Sequence, residues 1–210
     1  MDDPAGEMEL LPAVWRAAER LSSVDHLDRA AAVDELAVLN APRFSPLIAH
    51  LLSTLLKDPH LPLRAGVVEI LGDVLAANEE GQMAPEPVRK ALWSVLLQMR
   101  TRSIFAILQV SAAYPQFREH VTRLLNACPY AGVHLANIVA ERGHDIVVRQ
   151  QAAHHIGEVG FMDAVPILKR LESRVESRLA GQRQMPFAPP SAVDESALLP
   201  SIKTALKILS

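Results

Sequence analysis

Three segments of this chain share one helical register. In each, an arginine is followed by a small or β-branched residue at +3, an aliphatic at +7 and Gly or Ala at +8. They are Arg29, Ala32, Leu36 and Ala37; Arg64, Val67, Leu71 and Gly72; and Arg149, Ala152, Ile156 and Gly157. At ~3.6 residues per turn, +3 and +7 fall on one face, so a short helix is reused with the same inward side. Such a unit buries its apolar face only against neighbours, which restricts the chain to a stack of helical repeats.

A second periodic signal comes from proline two residues before an aliphatic, in Pro12-Ala13-Val14, Pro46-Leu47-Ile48, Pro166-Ile167-Leu168 and Pro200-Ser201-Ile202. The first turn of a helix has no intrahelical acceptor for its N–H groups, so proline is suited there and marks helix starts. Arg29 and Arg64 stand 35 positions apart and Pro12 and Pro46 stand 34 apart, a period that fits helix, turn, helix and connector. Half of the 210 residues are apolar and only 4% aromatic, with Ala, Leu and Val predominating. That composition favours packed helices over sheets.

The pattern predicts helices near 7–22, 27–40, 44–57, 61–77, 87–100, 102–113, 115–127, 131–142, 145–159, 163–179 and 195–209. Leu47, Ile48, Leu51, Leu52, Leu55 and Leu56 form a broad apolar face that needs neighbours on more than one side, whereas Leu168, Leu171, Val175 and Leu179 form a narrow stripe with Arg170, Arg174 and Arg178 on another face. Asn78 to Pro85 reads as a loop. Ala180 to Val193, with Gly181, Pro186, Pro189 and Pro190, reads as an extended linker. The expected organisation is a repeat array over 1–179, a proline-rich linker over 180–194 and a capping helix over 195–210.

The stretch from Asp145 through Arg149, Ala152, Ile156, Gly157 and Asp163 to Leu168 resembles the HEAT repeats, especially the short bacterial HEAT-like repeats of the phycobilisome-lyase type. Lys57-Asp58-Pro59 through Arg64 to Gly72 is a second match, and Arg29 to Leu56 a third with alanine in place of the usual glycine; Trp93 to Arg142 matches poorly. The resemblance implies an all-α fold, an α-solenoid or superhelix of antiparallel helix pairs, HEAT-like or armadillo-like, in which each repeat arginine meets an aspartate of an adjacent turn. Members of the family mostly bind other proteins. In its metal-dependent hydroxylase branch, His-Glu pairs occupy the helix after this arginine, where this chain has Gln150-Gln151, and an amide cannot neutralise iron.

No catalytic, cofactor or metal set is expected. His154 and Glu158 are spaced at i+4, but a usable metal site needs three or four ligands. Cys128 precedes Pro129 without a recognisable partner and reads as a buried thiol; Gly157 reads as a packing glycine, Gly160 as a helix C-cap and Asp163 as the next N-cap. Trp15 and Trp93, set among leucines, read as core, an exposed tryptophan being the alternative that suits a binding hot spot. Charge is uneven: acids crowd the first forty residues, while Arg89, Lys90, Arg100, Arg102, Arg118 and Arg123 oppose Glu119 alone between Pro87 and Tyr130. These six cations are the candidate partner-binding surface, and Arg29, Arg64 and Arg149 the structural repeat arginines. Net charge of −3 argues against a dedicated DNA binder. With no apolar run of ~20 residues and no signal-peptide pattern, the chain is expected in the cytoplasm, without membrane insertion. The leading expectation is a non-enzymatic adaptor that binds another protein; an accessory bilin-lyase-type chaperone and a nucleic-acid backbone binder are the alternatives.

Overall fold

A computed structural model describes residues 11–182 and 192–210, and among them every regular element is helical. The helices are α1 (Pro12–Arg20), α2 (His26–Val38), α3 (Ala41–Phe44), α4 (Pro46–Thr54), α5 (Leu61–Val74), α6 (Glu86–Leu96), α7 (Thr101–Ala113), α8 (Arg118–Asn126), α9 (Ala131–Ala140), α10 (Ile146–Val159), α11 (Val165–Gln182) and α12 (Ala192–Ile208).

Local chemistry sets the starts of the principal helices. Asp25 accepts the Leu27 N–H at 2.9 Å, Ser45 that of Ile48 at 3.1 Å and Asp145 that of Val147 at 2.8 Å. Caps of this kind contribute ~1 kcal/mol each. Pro12 and Pro46 open α1 and α4, and Pro166 stands in the first turn of α11. Pro200 departs from the expectation and lies inside α12, whose preceding residues already run as helix from Ala192. Gly160 ends α10 in the left-handed region at φ 86°. Asp163 is not the next N-cap: it sits inside a 3₁₀ turn, Met162–Ala164, and its carboxylate lies over Gly132. The 180–194 linker shortens as well, since α11 continues to Gln182 and α12 begins at Ala192, which leaves a connector at 183–191 outside the described residues. The predicted start of the first helix, 7–10, also lies outside them.

Packing follows the repeat. Helices α2, α5, α7 and α10 pack in succession, with α4 on α6, α9 on α11 and α12 against both α10 and α11. Measured from the residue before each helix, Arg29, Arg64, Ile104 and Arg149 are equivalent, as are Leu36, Leu71, Ser111 and Ile156. The successive starts at Asp25, His60, Arg100 and Asp145 are spaced 35, 40 and 45 residues. The last interval is longest because α8 is inserted there. That helix packs on α5, α7 and α10 together, so it crosses α7. Its approach depends on Gly72, where a Cβ would stand 2.6 Å from His120 Cβ and 2.9 Å from His120 Cα.

Candidate partner-binding site

The repeat arginines hold the scaffold on which the site stands. Arg29 donates through Nε to Asp58 Oδ2 at 2.8 Å and through Nη2 to Oδ1 at 3.1 Å, two parallel bonds to one carboxylate. Its Nη1 donates to the Ser23 and Val24 carbonyls at 2.8 and 2.9 Å. Arg64 donates to the Asp58 carbonyl at 2.6 Å and to Gln109 Oε1 at 2.8 Å, joining α5 to α7; burial pushes its guanidinium below the usual value, with Asp58 opposing. Arg149, buried in α10, donates to the Val139 carbonyl of α9 at 2.9 Å. The arginine–aspartate pairing implied by the resemblance is thus direct for Arg29, whereas Arg64 reaches the aspartate's backbone.

Of the six candidate cations, two line one groove among the described residues. Arg89 and Arg123 line the same groove, of about 460 Å³, between α6, α8 and the end of α5. Arg118 lines a different cleft with Thr122 and Glu158. Lys90 is engaged by Glu86 at 2.8 Å. Arg100 and Arg102 are exposed near the start of α7, and neither lines the groove.

The groove is mainly apolar: Leu75, Met83, Trp93, Leu97 and Ala127 line it beside the two arginines and Asn126. Trp93 is 39% exposed, Met83 47% and Leu97 46%, so the core reading of Trp93 is overturned, and Trp15 on α1 is also exposed. Residues Arg89, Trp93 and Leu97 recur at four-residue steps and stand in one row on α6. The Arg89 guanidinium lies 5.5 Å from the Trp93 ring centroid while its Nε donates to the Ala84 carbonyl at 3.0 Å, which holds the cation against the indole. Met83 is presented by a loop closed on Asn78, whose side chain accepts from Glu80 and Gln82 N–H at 3.1 and 2.7 Å; Arg43 donates to the Gln82 carbonyl. Arg123, on the facing helix, is held by Glu119 and by Asp73 at 3.4 Å. Nothing in the period of the sequence brings Met83, Trp93 and Arg123 together. The four-residue recurrence of large side chains on α6 was the available signal.

A second polar cluster, buried at Ser111 and His155 and open to solvent at Glu158, lies where α7, α8 and α10 meet. His155 is fully buried; its Nε2 is 3.2 Å from Ser111 Oγ and its Nδ1 3.1 Å from Thr122 Oγ1 and 3.6 Å from Glu158 Oε2. Thr122 also reaches Glu158 Oε2 at 2.9 Å, and His154 Nε2 lies 2.9 Å from Glu158 Oε1. Serine, histidine and carboxylate are in relay order, but Ser111 is fully buried and its hydroxyl donates to the Leu108 carbonyl at 3.1 Å. Its proton is already committed and no substrate reaches it, so the cluster ties three helices together. Burial pushes the His155 imidazole down. The Glu158 carboxyl is held at about 2, first by its hydrogen bond with His155 and then by Thr122.

Among the described residues, no three His, Cys, Asp or Glu side chains are placed to hold one metal ion, and no helix is long and apolar enough to cross a membrane. Cys128 is buried, and burial pushes its thiol up, away from nucleophilic use. Comparison with known proteins gives no match: no family model fits the chain, and no curated protein or solved structure is significantly similar to it.

Proposed function

We propose that this chain is a HEAT-like α-solenoid acting as a non-enzymatic, cytoplasmic adaptor, and that it holds a partner protein in the groove between α6 and α8. The observation that carries this reading is the row of Arg89, Trp93 and Leu97 facing solvent beside Met83 and Arg123. Tryptophan and arginine are the residues that most often dominate binding energy at interfaces. A folded chain has no stabilising reason to leave Trp93, Met83 and Leu97 together in water, because each loses transfer free energy there. The solenoid part of the reading is supported by the succession of α2, α5, α7 and α10 and by the Arg29–Asp58 and Arg64–Gln109 links between neighbours.

The site differs from the face expected of such an array. The arginine-bearing helices would line the inner face, yet α8 lies across α5, α7 and α10 and covers part of that helix layer. The groove at the edge of α8 takes its place. Affinity purification of the tagged chain from its native cells, with quantitative mass spectrometry, tests the function. A stoichiometric protein recovered by the wild type and lost with Trp93→Ala supports it; recovery of no protein sinks it.

A further inference from the structure

We infer that the occupant of the α6–α8 groove is an amphipathic helical segment of the partner that presents bulky apolar side chains flanked by carboxylates. This deepens the adaptor reading and rests on it. The shape argument comes from the walls. Along α6 and its C-cap, Arg89 to Leu97 spans eight residue steps, a strip of ~12 Å at 1.5 Å rise per residue, and Arg123, Asn126 and the C-cap Ala127 of α8 line the groove opposite. Anchors at i, i+4 and i+7 on an inserted helix cover nearly the same ~10–11 Å, which is the helix-in-groove mode of recognition. An apolar groove of this length suits such an insert.

The charge argument comes from the lining. Arg89 and Arg123 are the only ionisable side chains that line the groove, and no carboxylate does. Arg89 is pinned by the Ala84 carbonyl and stacked on Trp93, and Arg123 is pinned by Asp73 and Glu119, so both cations are pre-positioned. Arg123 already meets Asp73 and Glu119, so Arg89 is the groove cation left to an insert: lysines would bring like charge against it, and glutamates gain attraction and steering. Met83, on a loop tied to α3 through Arg43, supplies an adaptable apolar contact for the anchor side chain.

Trp15→Phe leaves Trp93 as the sole tryptophan reporter, because the chain has two tryptophans. Three synthetic sixteen-residue helical peptides serve as probes: leucines at i, i+4 and i+7 on a glutamate-rich background, the same leucines on a lysine-rich background, and a scrambled glutamate peptide. The expected result is that the acidic amphipathic peptide shifts Trp93 emission to the blue and binds at least about ten-fold tighter than either control. Its affinity should weaken with added salt and fall about ten-fold in Met83→Glu, a variant at an exposed loop position that spares the helices. Equal affinity for acidic and lysine peptides, no binding of any, or binding unaffected by Met83→Glu overturns the inference. Native purification with Met83→Glu separates this from the adaptor reading. If the peptides fail while the native partner is retained, only the inference falls; if the wild type also recovers no partner, both fall.

Discussion

Two buried polar sites hold this fold together by different means. At the first, Arg29 of α2 grips Asp58 just ahead of α5, and Asp58 passes the connection to Arg64 and so to Gln109 of α7. It links the successive helices α2, α5 and α7. At the second, Ser111 and His155 join α7 directly to α10, and Thr122 of α8 adds its bonds to His155 and Glu158. One site joins a guanidinium to a carboxylate; the other is centred on an imidazole.

Breaking the first site should have the largest effect. Asp58→Ala strands the Arg29 guanidinium, whose side chain is only 12% exposed, and removes the acceptor of the His60 N–H. Loss of one partner of a buried pair costs ~3–5 kcal/mol, so denaturant unfolding should show a loss of that size. A loss under ~1 kcal/mol would remove the pair from its supporting role. Next comes Arg149→Ala, which deletes a buried side chain and leaves the Val139 carbonyl without that donor, for a loss of about 2 kcal/mol. Arg174 is exposed on α11, and its replacement by Ala should stay within ~0.5 kcal/mol. Similar losses for the two arginines would show that burial does not distinguish repeat arginines from surface ones.

The second site can be approached through a glycine. Gly72→Ala puts a Cβ where His120 backbone stands, a clash of the kind that costs ~1–3 kcal/mol, against up to ~1 kcal/mol gained in helix propensity. The net loss should be about 1–2 kcal/mol. Gly66, on the same helix with nothing within 4 Å, should instead gain roughly 0.4–1 kcal/mol as Ala. A stabilised Gly72→Ala protein would mean that α8 does not dock tightly on α5.

The same division explains what the sequence made legible. Helix positions followed from periodicity and caps, because those causes act within a dozen residues, as at Asp25, Ser45 and Asp145. The four-residue α3 escaped notice because two short turns around Pro42 leave no periodic stripe to read. The Arg29–Asp58 link was foreseeable from the family resemblance, which implies an arginine–aspartate pairing between adjacent turns. Neither the His155 cluster nor the Trp93 groove was, since Ser111 meets His155 only when α7 packs on α10, and Thr122 and Arg123 reach these sites only when α8 docks. Ser111 did leave one trace: aligned by helix start, it occupies the position of Leu36, Leu71 and Ile156. A serine in an aliphatic slot needs a buried partner, and the search for one would have led to His155, the adjacent helix's only fully buried titratable side chain.

Titration gives the finest separation of the two sites. The folded-state value of His155 is depressed by burial, so below ~6.5, the ordinary imidazole value, the unfolded chain binds a proton that the folded chain excludes. Stability from this group is therefore complete above ~6.5 and declines as pH falls, with a slope of at most ~1.4 kcal/mol per pH unit. Glu158, held at about 2 against an ordinary 4.5, adds a second decline that begins only as pH drops through 4.5 toward 2. Between pH 7 and 5 the imidazole term acts almost alone. The other seven histidines contribute to both wild type and variant, so the quantity to measure is a difference: unfolding free energy at pH 7, 6 and 5 for the wild type and for His155→Leu. The wild type should lose stability more steeply than the variant over this range. Parallel pH profiles for wild type and His155→Leu would place the imidazole in a solvated environment and undo the contrast between the two sites.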